Sequence, residues 1–141
     1  MKTVTELPFN RLLNLEAADE AGKLLRLPAG GQYLNHLGTV HAGALLSLAE
    51  AASGEFLLRA LGDARGVVPV VRRLEAKFRK PANGAVTASA SVAAGAIEEM
   101  RAGLSAKGRA LISVSVELHD ASGTHALTTT VEWFISAAHS S

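Results

Sequence analysis

"AGALLSLAEAASGEFLLRAL", residues 42–61, is the stretch on which the fold turns. It lacks proline, is rich in alanine and leucine, and is closed by Gly62 and Asp63, so it reads as a helix of about 20 residues and roughly 30 Å. Its composition predicts that it is largely buried. Gly43 and Gly54 each cost roughly 1 kcal/mol relative to alanine in a helix, which predicts close packing or a close backbone approach at both.

Downstream the hydrophobic period changes from helical to alternating. In "VVPVVRRLEAKFRKP", residues 67–81, Leu74, Ala76 and Phe78 oppose Arg73, Glu75, Lys77 and Arg79, the pattern of a half-buried strand. "GAVTASASV", residues 84–92, and "ALISVSVELHD", residues 110–120, alternate in the same way; in the latter Ile112, Val114, Val116 and Leu118 oppose Ser113, Ser115 and Glu117. "THALTTTVEWFIS", residues 124–136, is a fourth long strand, joined to the third by the turn "DASG". Ile97, Met100, Arg101 and Leu104 stand at helical spacing, which predicts a short helix between the second and third strands.

Upstream, Pro8 suits the first turn of a short helix, with Leu12, Leu13 and Leu15 available to cover something apolar. "GKLLRLPAGG", residues 22–31, predicts a short strand stopped by Pro28, Gly30 and Gly31. Strands grouped around one long apolar helix predict an α+β fold, with one face of an antiparallel sheet wrapped around that helix. The other face, lined by Thr, Ser, Glu and Arg, would be solvated or half covered by a partner.

The 141 residues suit one domain spanning residues 1–141. Hydrophobic residues at 48% against 19% charged exclude a disordered chain. A net charge of +1, with the basic residues spread out, leaves no nucleic-acid footprint. The absence of cysteine removes disulfides, thiolate metal sites and a thiol nucleophile. No export peptide or membrane span is expected, so a cytoplasmic location is.

The long helix carries a lone acid, Glu50. Glu55 lies roughly 140° and Arg59 roughly 180° around the helix from it, and those two are placed to pair with each other. Glu50 shares its side with Leu46, Ser47, Ser53, Gly54 and Leu57. Desolvation there would raise its pKa and make it a base or nucleophile near neutral pH; a helix-edge position or an arginine partner is the equal alternative. At the helix start, the free N–H groups of Ala42 and Gly43 can bind a developing oxyanion, although a tight helix entry is the simpler reading. Asn35 reads first as a turn residue and otherwise as one that orients a carbonyl or water. His36 and His41 lack partners at metal-ligand spacing, His119, His125 and His139 being distant, so no metal is expected and His41 reads as a loop-fixing residue. Arg72, Arg73, Lys77, Arg79 and Lys80 read mainly as a solvated strand face, or else as contacts for the phosphates of a nucleotide-bearing ligand. Leu46, Phe56, Leu57, Val68 and Val70 are the apolar residues that would wall a tunnel beside the helix.

"N-x-x-G-x-x-H-A-G" from Asn35 to Gly43, followed by an acid nine residues after His41, resembles the hotdog-fold thioesterases, especially the phenylacetate-degradation type and its acyl-CoA thioesterase-like relatives. "LPFNRLLNLE", "FRKPANG" and "GRALISVSVELHDASG" fall in that family's order, so the resemblance covers nearly the whole chain. It implies a hotdog sheet around the long helix, and an acyl-CoA substrate cleaved at the interface of a homodimer, alone or within a homotetramer, without a cofactor. Carried onto this sequence, Glu50 is the general base or nucleophile, Asn35 orients the thioester or water, and the N–H of Ala42, with Gly43, stabilises the oxyanion. His41, Ser53, Gly54, Arg79 and Lys80 complete the expected substrate-binding set, the last two for CoA phosphates and Ser53 as a stand-in hydroxyl for positioning water. Relatives often have a second glycine at position 42, and some carry a threonine or serine at position 54, so a non-catalytic acyl-CoA-binding module is the alternative expectation.

Overall fold

The computed structural model describes residues 3–138. The decisive stretch is helix α2 (Ala42–Leu61), with α1 (Pro8–Leu12) and α3 (Ala96–Lys107) before and after it. The strands are β1 (Glu16–Ala17), β2 (Leu25–Leu27), β3 (Val67–Phe78), β4 (Val86–Ser91), β5 (Arg109–Asp120) and β6 (His125–Ala137). They form one antiparallel sheet in the order β1-β2-β4-β5-β6-β3. One face of this sheet curls around α2, which is the expected α+β arrangement.

The alternation of β5 explains the packing. Ile112, Val114, Val116 and Leu118 are buried against α2, while Ser113, Ser115 and Glu117 are exposed on the other face. Leu127, Val131 and Ile135 of β6 extend the inner row, all fully buried. Helix α2 meets this surface with Leu48, Ala49 and Ala52, each 0% exposed. Fully burying a leucine of this kind contributes roughly 1.5–3 kcal/mol, and the alanines let strand and helix backbones approach closely. The helix ends at Gly62, whose φ of +72° favours glycine and whose N–H donates to the Leu58 carbonyl.

Helix α3 occupies the expected place: Met100 is buried, and Arg101 Nη2 donates to the Ala60 carbonyl, tying α3 to the end of α2. At Gly103 a Cβ would lie 3.0 Å from the Arg109 carbonyl oxygen, so the glycine lets α3 sit close on β5.

Two expectations need correction. Strand β3 is not half-buried: of its inward set only Leu74 is partly covered, whereas Ala76 and Phe78 are exposed, because β3 is the edge of the sheet. The short strand expected within residues 22–31 is β2, Leu25–Leu27, which pairs with β4 and stops before Pro28 as expected, and Gly31–Tyr33 forms a 3-10 turn. Leu12 covers nothing and is 74% exposed, while Leu15, beyond the helix, is buried. Among the described residues no helix is long and apolar enough to cross a membrane.

Candidate active site

Glu50 lies two helical turns inside α2, half-buried, and lines a cavity of about 420 Å³. Gly54, Leu57 and Leu58 of the same helix form one wall, and Pro69 of β3 and Trp133 of β6 form another. Val4 and Leu7 close it from the N-terminal segment, which is held by Asn10 Nδ2 donating to the Val4 carbonyl at 3.0 Å. Among the described residues the Glu50 carboxylate has neither an ion-pair nor a hydrogen-bond partner. Burial in these surroundings pushes its pKa above the ordinary glutamate value, because the charged form loses hydration. Glu55 and Arg59 instead pair with each other at 2.6 Å on the outer side of the helix.

Sequence reasoning did not single out Trp133, the only tryptophan of the chain. Its indole N–H donates to Ser53 Oγ at 3.0 Å, and Ser53 Oγ–H donates to the Glu50 carbonyl at 2.7 Å. A Cβ on Gly54 would sit 3.5 Å from the indole ring, so the glycine leaves the ring edge open to the cavity. The alternation of β6 placed Trp133 on the inner face; which helical residue it meets is a matter of tertiary register. Ser53 is fully buried, and its hydroxyl, donating to the Glu50 carbonyl and accepting from the indole, ties α2 to β6. Replacing Ser53 with Ala should leave the indole N–H unpaired in the core and lower unfolding stability by about 1–3 kcal/mol. Urea unfolding followed by Trp133 fluorescence measures this.

The second group of expected residues surrounds the start of α2. Helix entry is pinned by Val40 N–H donating to the Ala82 carbonyl and His41 N–H to the Tyr33 carbonyl. His41 is the N-cap: its Nδ1 accepts from Gly43 N–H at 2.8 Å. The Gly43 donor is therefore occupied, and a Cβ on Gly43 would lie only 3.2 Å from that ring nitrogen. This corrects the expected pair of oxyanion donors: among the described residues, the exposed Ala42 N–H is the one left without an acceptor. Asn35 is likewise committed locally, its Oδ1 accepting from Leu37 and Thr39 N–H and its Nδ2 donating to Thr39 Oγ1. Replacing His41 with Ala should cost about 1 kcal/mol through loss of the cap, checked by the midpoint of urea unfolding.

Asn35, Ala42, Arg79 and Lys80 line one shallow depression of about 300 Å³, separate from the cavity of Glu50. Arg79 Nε donates to Thr128 Oγ1 at 2.8 Å. Eight residues of helix separate Ala42 from Glu50, or about 12 Å at 1.5 Å per residue. Within one chain, then, the donor and the carboxylate do not reach the same carbonyl. Of the expected tunnel walls only Leu57 lines the Glu50 cavity; Val68 and Val70 are exposed on the opposite face of the sheet, because the inward positions of β3 at this point are those of Pro69 and Val71. Among the described residues no group of three His, Asp or Glu side chains could hold a metal ion.

Residues 16–135 match the family model described as a domain of unknown function, DUF4442. No curated protein matches the chain significantly. A Pseudomonas aeruginosa protein of unknown function, described as a probable thioesterase, is similar at a TM-score of 0.81 and 28% identity, over 96% of this chain and 91% of its own. A Bacillus halodurans protein solved with CoA is similar at a TM-score of 0.69 and 25% identity, over 90% of this chain and 74% of its own. A Haemophilus influenzae thioesterase shares the fold at a TM-score of 0.72 and 16% identity, over 95% of this chain and 86% of its own. The architecture is that of the hotdog-fold thioesterases.

Proposed function

This chain belongs to the DUF4442 domain family, and on that premise we propose that it is a thioester hydrolase, cleaving an acyl-CoA thioester to a carboxylic acid and free CoA at a site shared between two copies of this single-domain chain. The observation that carries this is a carboxylate, Glu50, without a partner among the described residues, in an apolar cavity of about 420 Å³. Likeness to a probable thioesterase and to a protein solved with CoA supports the substrate class.

Glu50 takes a proton from water as the oxygen adds to the thioester carbonyl; the C–S bond then breaks, and the proton passes to the departing sulfur. In the nucleophilic variant the carboxylate itself adds, expels the thiolate and leaves an anhydride that water opens. Both need a donor for the carbonyl oxygen as it becomes negative, and in other enzymes losing one such donor costs about 3–4 kcal/mol. Ala42 N–H, at the positive end of α2, suits that role. Since it lies about 12 Å along the helix from its own Glu50, the donor comes from a second copy of the chain, and the working unit is a homodimer or a pair of such dimers. The exposed edge strand β3, with Val68, Val71 and Phe78 uncovered, is the surface available for joining two chains. Arg79 and Lys80, beside Ala42, would then meet the CoA phosphates.

The test is release of free thiol from a panel of short, long and aryl acyl-CoA esters, the aryl members examining the phenylacetate-type reading. Turnover that Glu50→Gln removes supports the proposal. Binding without turnover by the native chain overturns it in favour of a non-catalytic acyl-CoA module.

A further inference from the structure

Gly54 lines the Glu50 cavity at a point where neither backbone nor packing calls for a glycine. It lies inside α2 and is not among the glycines of positive φ. A Cβ there would meet Cζ2 and Cη2 of Trp133 at 3.5 and 3.6 Å, which is ordinary van der Waals contact. Gly103 differs, since its Cβ would press on a carbonyl oxygen at 3.0 Å. Glycine in a helix interior is less stable than alanine, so Gly54 weakens α2 and gives the fold nothing in exchange. What the missing side chain supplies is space.

That space has a fixed place and fixed walls. Glu50 and Gly54 are four residues apart and share one side of α2, about 6 Å from each other along its axis. The facing wall is the edge of the Trp133 indole, which is held in position: the ring is buried, and its N–H donates to the fully buried Ser53 Oγ at 3.0 Å. Apart from Glu50 and Asn10 the lining is apolar. A cavity of about 150 Å³ is enough for benzene, so one of about 420 Å³ holds a ring together with further carbons. An acyl group whose carbonyl lies at Glu50 reaches Gly54 with its first few carbons. The room over Gly54 is therefore room for breadth beside the carbonyl and not for length of chain.

We propose that Gly54 is a specificity-determining residue, and that the site takes apolar acyl groups broadened by a ring or a branch close to the thioester carbonyl, lodged between Gly54 and the edge of Trp133. This rests on the Glu50 cavity being the thioester site. A straight chain leaves the space over Gly54 partly empty and forgoes dispersion contacts with the indole. A broad acyl group fills it, and any side chain at position 54 competes for the same volume.

The experiment compares cyclohexanecarbonyl-CoA with heptanoyl-CoA, which have equal numbers of acyl carbons and differ in breadth, on the native full-length chain, Gly54→Ala and Gly54→Val. The native chain should favour the cyclic ester. The ratio of kcat/KM for the cyclic over the straight ester should fall several-fold in Gly54→Ala and about tenfold or more in Gly54→Val, while Gly54→Ala raises the midpoint of urea unfolding. A glycine kept for structure would instead lose stability on replacement. Gly54→Ala decides alone if Gly54→Val does not fold. Turnover of neither ester by the native chain removes the hydrolase reading; the ratio of affinities for the same two esters, read from Trp133 fluorescence, then decides this proposal. A native preference for the straight ester or for neither, a ratio unchanged in the variants, binding of neither ester, or a lowered urea midpoint in Gly54→Ala overturns it.

Discussion

Replacing Glu50 with Gln should reduce thioester turnover by about 10²–10⁴-fold while making the protein more stable at neutral pH. Loss of activity follows because the amide cannot accept the proton of the attacking water or serve as nucleophile. The gain in stability follows from burial. The folded-state pKa of Glu50 lies above the 4.5 of a free glutamate, so the folded chain binds more protons than the unfolded one between the two values, and stability falls as pH rises through that window. Below pH 4.5 the native carboxyl is already neutral, and the two proteins should unfold at similar urea concentrations. At neutral pH the Gln variant should unfold later. The same shift places the rise of native activity with pH above the ordinary glutamate range, as the base loses its proton. Urea unfolding at several pH values, together with a pH–rate profile, checks both halves. A Glu50→Gln protein with unaltered turnover would remove the carboxylate from the chemistry.

Asp120→Ala should be the most damaging single change outside the core, lowering stability by about 2–4 kcal/mol, because three backbone N–H groups lose a charged acceptor at once. The carboxylate joins the β5–β6 turn, through Ser122 and Thr124, to Asn83 in the loop before β4. Burial alone would raise its pKa, but the donors from Asn83, Thr124 and Ser122 outweigh that and hold it below the ordinary aspartate value. Here the sign is opposite to that of Glu50. The folded chain binds fewer protons than the unfolded one, so the stabilisation is present above the free-aspartate pKa of about 3.9 and is lost as pH falls toward the folded value. Thermal unfolding between neutral pH and about pH 3 should show an acid limb in the native protein that is shallower in Asp120→Asn.

The parts of the fold legible in the sequence are those with a long, strong period. Ala42–Leu61 and the alternation of β5 each specify a face and a length, and the structure keeps both. Strand β3 was harder, because alternation tells which side of a strand is apolar and not whether anything covers it; Phe78 is on the inner side and is still half exposed. At the candidate site, the spacing of Asn35, His41 and Glu50 was readable, and so was the reason for an elevated carboxyl pKa. The consumption of Gly43 N–H by His41 depends on one side-chain rotamer, and the link from Trp133 to Ser53 spans 80 residues. Neither leaves a trace in local pattern.

The alanines where α2 meets the sheet limit where the chain tolerates added volume. With Ala49 and Ala52 at 0% exposure, the gap between the two layers is set by single methyl groups, and inserting more carbon there typically costs about 1–3 kcal/mol. Substitutions that reshape the chamber while leaving the thickness of the molecule constant are therefore those at its rim, at Gly54 and the N-terminal roof.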